Sequence, residues 1–453
     1  MRFFAFGKKI CGSGLISNLI SFRLEIWVII IYLFVYNLHY EAPVFNQTDS
    51  IWNTPTAISI VNNGDLNLNE YSDIFPIALN VNLWKSKGNY YNYYPYGLSI
   101  LSAFPVLFIK YYYKWFMNKD IEDKFRTSSI RLDKNIASFF MAISSCIVFL
   151  ISFKITQNYI NSIFLSIVFA FGTIAFSGTS RGLWQHNGTF FLYFAIIYIL
   201  LNNSDFAVLK LQGESKKVFG FSLHQIGIIL SAFPLYFSYL VRPTSLVPIF
   251  FISVAIVLCL KKNFIFFFII GFSTLAIFFA TNYSIFGTLN HPYYDFDKVS
   301  STDTFLEALL GNLISPGRGM FIYSPFLIFS IYGIYLKYKN ENLRFYEIAF
   351  ILIIIFHWII ISRNKNWWGG HSYGYRLMSD ILPFMFYYFI YYWKYERFKI
   401  IKFAALLAVL ISFYMNIFGA IYMNSYTWNL LPVNIDDFPE RNWNWSDPPF
   451  LRR

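Results

Sequence analysis

The side chains able to do chemistry in this sequence are mostly arginines, histidines, tyrosines and a few acids, gathered in five short clusters between long apolar runs. The first is Thr48-Asp49-Ser50-Ile51-Trp52, and the second runs from Tyr90 through Tyr94-Pro95-Tyr96-Gly97. The third is Ser180-Arg181-Gly182-Leu183-Trp184-Gln185-His186, and the fourth is Ser315-Pro316-Gly317-Arg318-Gly319. The fifth, Trp367-Trp368-Gly369-Gly370-His371, continues to Tyr375-Arg376. Glycine or proline beside arginine at a helix mouth suits an anion. Exposed amides and a helix N-terminus converge on it while the guanidinium grips it with two parallel hydrogen bonds. Each cluster also has a plainer reading. Asp49 can cap a helix over 50–62, Arg318 can reach out to lipid headgroups, and Arg376 can neutralise Asp380 four residues on. Trp367 and Trp368 fit an interfacial aromatic belt. The histidines and acids show no short ligand spacing, so no metal site is expected. Cys11, Cys146 and Cys259 read as unpaired fillers.

The elements that must position these clusters are membrane helices. Hydrophobic residues make up 57% and charged residues only 13% of the 453-residue chain, about half the charge needed to cover a soluble protein. The abundance of Phe, Tyr, Ile, Asn and Lys together is what an AT-rich genome produces. The net charge of +12 therefore says little about partners, and with no long basic run nucleic-acid binding is not expected. Crossing the hydrocarbon takes about 20 apolar residues. Twelve segments approach that length, at about 22–38, 96–113, 134–153, 160–178, 187–202, 223–241, 244–260, 264–285, 320–336, 345–362, 377–393 and 400–423.

Basic residues flank the first segment (Arg2, Lys8, Lys9, Arg23) and fill the later short loops (Lys210, Lys216 and Lys217; Lys261 and Lys262; Lys337, Lys339 and Arg344; Lys394, Arg397, Lys399 and Lys402). The positive-inside tendency puts all of these in the cytoplasm. Twelve crossings contradict that assignment, so one segment between 96 and 178 must fail to cross. The weakest is 96–113, with Pro105 and a polar end at Lys110, although the basic stretch 114–134 after it would suit the cytoplasm. Eleven spans follow, with the C-terminus outside. The expectation is an all-α polytopic membrane domain over 1–423. A large first external loop, 39–94, would carry amphipathic surface helices at about 50–62 and 72–86, and the polar tail 424–453 would be an external cap or loose end. This topology puts Arg181, Arg242, Arg318, Arg363, Lys365 and Arg376 on the outer face against the positive-inside tendency. With them come His39, His186, His291, His371, Glu41, Asp49, Asp65, Glu70 and Asp73. Ionisable groups at a membrane are costly and usually pair or line a site.

Taken together the clusters resemble the polytopic glycosyltransferases of the GT-C class, in particular bacterial relatives of protein O-mannosyltransferases and aminoarabinose transferases. The resemblance covers roughly 40–385. It rests on the first-loop acid, the Tyr-x-x-Tyr-Pro-x-Gly helix start, and the Ser-Arg-x-Leu-Trp-x-His, Ser-Pro-x-Arg-Gly-x-Phe and Trp-Trp-Gly-Gly stretches. It implies transfer of a sugar from a polyprenyl-phosphate donor to a hydroxyl on a glycan, lipid or protein acceptor, with inversion, on the outer face of a bacterial inner membrane, and without a cofactor. Carried over residue by residue, it gives Asp49 the role of general base. Arg318, Arg376, Arg181 and Arg242 would hold the phosphate, with His186 and His371 as hydrogen-bond donors and Tyr94 in the site. Better-studied relatives often have an acidic pair here, whereas Ser50 follows Asp49, so Glu41, Glu70 and Asp73 compete for the second acid. The rival classes are a transporter or flippase of a lipid-linked or anionic solute, with His357 in its pathway, and a non-enzymatic membrane assembly factor. The absence of an evident internal repeat and the long acid-bearing loop speak against transport.

Overall fold

A computed structural model describes residues 13–44, 49–74, 82–203, 217–218, 221–260, 263–294 and 303–452. The expected cytoplasmic lysines Lys210, Lys216, Lys261 and Lys262, the basic N-terminal residues and Thr48 lie outside that range. The chain forms a helical bundle. Its first half contains α1 (Ser13–Glu41), α2 (Asn53–Asn62), α3 (Gly97–Tyr112), α4 (Ile121–Thr156), α5 (Tyr159–Phe171), the short α6 (Ile174–Ser177) and α7 (Gln185–Asn203). There follow α8 (Leu223–Leu230), α9 (Ala232–Val241), α10 (Leu246–Leu260), α11 (Phe264–Phe286), α12 (Phe305–Ile314) and the short α13 (Met320–Tyr323). The last part comprises α14 (Ile328–Glu341), α15 (Phe345–Ser362), α16 (Leu382–Tyr395), α17 (Lys399–Ile421) and the short α18 (Met423–Thr427).

Among the described residues, seven helical stretches are long and apolar enough to cross a membrane: 23–41, 121–156, 223–241, 243–260, 264–286, 345–362 and 399–421. A bent pair, 159–171 with 174–181, makes an eighth candidate. The protein is thus an all-α, multi-pass membrane protein. α16 is buried on every side from Leu382 to Trp393, which makes it the central post of the bundle. The opposite flanks of α1, α10, α11 and α17 leave large apolar side chains exposed, as a lipid-facing surface does.

At one end the bundle is tied by a buried charge network. Lys337 on α14 lies 2.7 Å from Glu341 and 3.4 Å from Glu347 on α15, and Tyr387 on α16 donates to Glu347 at 2.5 Å. Lys337 is therefore a paired core group, not the solvated loop charge its sequence context suggests. The candidate site lies at the other end, which we call the site end.

Segment 96–113 does not run the length of the bundle. Its sixteen-residue helix α3 continues through one π-helical turn to Met117. Gly97 begins it against the Leu240 backbone at the close of α9, while Lys110 near its other end donates to Asn62 at the close of α2, which in turn donates to Glu122 at the start of α4. Both ends of α3 are thus at the site end. The basic stretch 114–134 that follows is consequently at the site end as well.

Two further expectations are corrected. α2 is not a surface helix, because Asn53 to Ser59 are all buried in the protein. The piece expected as a helix over 72–86 contains instead the strand β1 (Leu83–Ser86), paired antiparallel with β2 (Asn89–Asn92), while 75–81 lie outside the described residues. Lys87 and Gly88 take φ of +50° and +84°, the left-handed pair that a two-residue hairpin turn requires.

α14 and α16 pack closely at Gly333, where an added Cβ would lie 2.1 Å from the Tyr388 carbonyl oxygen. Backbone cannot yield there as a side chain can. Gly333→Ala is expected to destabilise the protein by about 1–3 kcal/mol despite alanine's better helix propensity. A lower midpoint in thermal unfolding of the detergent-solubilised protein would report it.

Candidate active site at one end of the bundle

Asp49 lies in the turn between α1 and α2, but it does not cap α2. The cap position is Trp52, with no side-chain cap bond. Asp49 instead reaches across the fold to Arg376, 327 residues further on, and forms an ion pair with its Nη2. Tyr94 donates to the other carboxylate oxygen at 2.8 Å. The Arg376 guanidinium lies 4.2 Å from the ring centre of Trp184, so its second face is covered by an aromatic. The pair is only partly buried, with Arg376 18% and Asp49 26% exposed. Burial pushes the Asp49 carboxyl up, but the charge and hydrogen bond of Arg376, the Tyr94 hydroxyl and the nearby Arg242 outweigh it. The carboxyl is held below its ordinary range and is ionised at neutral pH. Burial and the Asp49 charge keep the Tyr94 phenol protonated.

A second pair lies behind the first. Arg242, at the C-terminal end of α9, is 3.2 Å from Asp380 through Nε. Asp380 also accepts from Thr189 at 3.0 Å and Thr244 at 2.9 Å. Arg242 donates through Nη1 to Nε2 of His186. Because arginine has only donors, Nε2 must be the accepting nitrogen, and the proton of neutral His186 is assigned to Nδ1. Tyr293, in the loop after α11, places its ring 5.0 Å from that of Tyr94. The two pairs balance in charge, yet several donors around them lack an acceptor. Trp184 Nε1, Gln185 Nε2 and Arg376 Nε are buried without a hydrogen-bond partner. Two of these come from consecutive residues at the start of α7. Buried donors without acceptors are costly, and an anion arriving among them would satisfy them.

Local structure explains why these side chains converge. Arg376 opens a 3-10 helix, Arg376–Ile381, after a stretch in which Gly369, Gly370 and Gly374 all take left-handed φ. On the Asp49 side, Asn53 donates to the Leu183 carbonyl at 2.7 Å, which joins α2 to the turn that carries Trp184. Asp133 on α4 accepts from Thr54, and its neighbour Lys134 donates to the carbonyls of His39 and Ser180. Consecutive α4 residues therefore fasten both walls of the site.

The structure brings together Asp49, Arg376, Arg242, His186 and Tyr94 among the residues expected from sequence. Arg318 is elsewhere. Its Nε donates to the Trp368 carbonyl at 2.7 Å, its Nη2 to the Gly370 carbonyl at 2.9 Å and to Asn429 at 2.6 Å. It is 1% exposed and stacks on Trp428, so it clamps the glycine-rich loop that presents Arg376. Arg181 is likewise engaged, by the Pro43 carbonyl at 3.0 Å and Ser180 Oγ at 2.7 Å. His371 lies against the tail, 2.8 Å from Asn434. Glu41 is exposed at the end of α1, and Glu70 accepts from Asn63 at 3.3 Å beyond the far end of α2. Asp73 pairs with Arg126. None of these acids joins Asp49. The second carboxylate is Asp380, which sequence suggested only as a neutraliser of Arg376. Trp367 and Trp368 are not an interfacial belt, since both are buried with Trp428 and Ile435 under the tail.

No protein-family model, curated protein or solved structure matches the chain. What the site can do is therefore read from its own chemistry.

Asp380→Asn strands the buried Arg242 charge and is expected to cost about 3–5 kcal/mol. Arg242→Gln in the same chain should restore part of that loss. Unfolding of the two single variants and the double variant would show the coupling, and additive losses would exclude it. Because the folded-state pKa of Asp49 is depressed, its contribution to stability is complete above the ordinary carboxylate pKa and is lost as pH falls through the lower folded value. The difference in stability between wild type and Asp49→Asn should therefore shrink on acidification below about pH 4.

Proposed function

We propose that this protein is a glycosyltransferase that moves a sugar from a polyprenyl-phosphate donor to a hydroxyl of a glycan, lipid or protein acceptor. On this reading about eleven of the twelve apolar segments cross the membrane, with α3 excluded. The site end, with loop 39–94 and the C-terminal tail, faces the exterior or periplasm of a bacterial inner membrane. The observation that carries the reading is the meeting of Asp49 with Arg376. A partly exposed carboxylate in the first loop, free of its own helix and held ionised by a guanidinium, sits among donors that lack acceptors.

The chemistry follows from that pairing. Cleavage of a glycosyl phosphate ester leaves an anion, and fixed cations in a poorly hydrated rim stabilise the charge as it develops. Arg376 is the cation with the most accessible position, and the free donors of Trp184 and Gln185 extend the same wall. A phosphate drawn to Arg376 competes with Asp49 for the guanidinium. Losing part of that partner raises the basicity of Asp49 when substrate is present. The carboxylate then accepts the acceptor hydroxyl's proton late, as the anomeric carbon becomes electrophilic. One direct displacement would invert that carbon, and the phosphate would leave without a metal or cofactor step. Arg242 and Asp380 keep the floor of the site neutral and hold His186 in the tautomer that presents Nδ1–H.

Removing a general base lowers rate by about 10²–10⁴. Asp49→Asn is therefore expected to lose at least two orders of magnitude in transfer from a polyprenyl-phosphate sugar to a hydroxyl acceptor, in purified protein that still unfolds cooperatively. Arg376→Lys keeps the charge but not the fork, and should mainly weaken donor binding. Wild-type turnover in Asp49→Asn would refute the assignment.

A further inference from the structure

A surface remote from the Asp49 site has a chemistry of its own. Beyond α3 the chain makes one π-helical turn, Tyr113–Met117, and a left-handed residue at Asn118 before α4 begins. This corner carries a strip of exposed aromatic and apolar side chains. Tyr112 is 50%, Trp115 72%, Phe116 74% and Met117 50% exposed. The rings are arranged in pairs, Tyr111 on Trp115 at 5.0 Å and Tyr112 on Phe116 at 5.4 Å. The strip continues along α3 through Phe104 and Phe108. It lies at the close of α3, where Lys110 donates to Asn62 of α2. Beside the strip is a cleft of about 360 Å³ lined by Lys110, Lys114, Asn118, Lys119, Asp120 and Ile121.

The charges in that cleft are unevenly matched. Lys110 donates to Asn62, and Lys124 lies 5.7 Å from the Tyr113 ring. Asp120 is used to cap α4, and Glu122 accepts from Asn62. Lys114 and Lys119 are exposed and make no ion pair among the described residues. Two free ammonium groups therefore stand over a concave surface, next to rings of the type that settles at the level of lipid headgroups.

From this we infer that the α3 corner is a docking site for the headgroup of an anionic phospholipid. Trp115 and Phe116 enter the acyl boundary while Lys114 and Lys119 meet the phosphate. Charge complementarity selects that occupant, since a zwitterionic headgroup brings an ammonium of its own to the cleft. The inference needs only the membrane location of the bundle and is independent of the proposed transferase activity. It also accounts for the exposed Lys114 and Lys119 at an end of the bundle that the positive-inside tendency leaves poor in such residues. Bound lipid would repay the placement.

Trp115 supplies the probe. The full chain is reconstituted in vesicles of phosphatidylcholine and phosphatidylglycerol at equal amounts, with bromine on the acyl chains of one lipid or the other. The Trp115 signal is the fluorescence difference between wild type and Trp115→Phe. A basic residue near an anionic surface contributes about 1 kcal/mol, or roughly fivefold in local lipid enrichment. Brominated phosphatidylglycerol should therefore quench Trp115 several times more than brominated phosphatidylcholine. Lys114→Gln with Lys119→Gln should remove the difference while leaving quenching itself in place, and 1 M salt should do the same in wild type. Equal quenching by the two lipids in wild type would overturn the inference. So would a preference that survives both glutamines, or a Trp115 signal that neither lipid quenches.

Discussion

The site end depends on one ion pair that joins the two halves of the chain. Asp49 is presented by a turn after the first helix, and Arg376 by a glycine-rich loop before the central post α16. Asp49 sits in a turn and Arg376 at the first residue of a 3-10 helix, so neither position is set by a long helix of its own. Each is fixed from outside. The Asp49 turn is held by Asn53, Thr54 and Ser50 against Leu183 and Asp133. The Arg376 loop is held by Arg318, which uses its guanidinium on two backbone carbonyls of that loop and on Asn429 of the tail. Loops can present a carboxylate and a guanidinium with precision only if such clamps remove their freedom.

The arginines at this end illustrate how environment decides role. Arg181 and Arg318 are engaged mainly by backbone carbonyl oxygens and are almost wholly buried, at 3% and 1% exposed. Arg242 is balanced by Asp380 and turned toward His186. Arg376 alone of the four combines a carboxylate partner, an aromatic face and access from solvent. The same residue type thus serves as clamp, counter-charge and candidate ligand within one end of one bundle.

Much of this could be read from sequence, and the failures have physical causes. Apolar length identified the bundle. The Asp49, Tyr94, His186, Arg242 and Arg376 set was visible because ionisable groups at a membrane are costly and usually pair or line a site. Arg318 was indistinguishable from a phosphate clamp, since its partners are backbone carbonyls, which carry no residue signature. Asp380 was hidden by the rule that residues four apart share a helix face. That rule holds at 3.6 residues per turn, but Arg376–Ile381 is a 3-10 helix, where a step of four rotates about 120° away from alignment. Asp380 therefore turns to Arg242. The strand at 83–86 was missed because an amphipathic count over a short window does not distinguish the two periods, although Lys87-Gly88 between Trp84 and Tyr90-Tyr91 marks a hairpin.

The sequence distance between the paired charges has a consequence for biosynthesis. Asp49 leaves the ribosome 327 residues before the guanidinium it will meet. At roughly 5–20 residues per second, about 15–65 s of elongation separate the two. Through that interval the carboxylate lacks its ion-pair partner, with the Tyr94 hydroxyl arriving early and Arg242 some way behind it. Closure of the pair, which joins the first loop to the segment before α16, is therefore a late event of maturation.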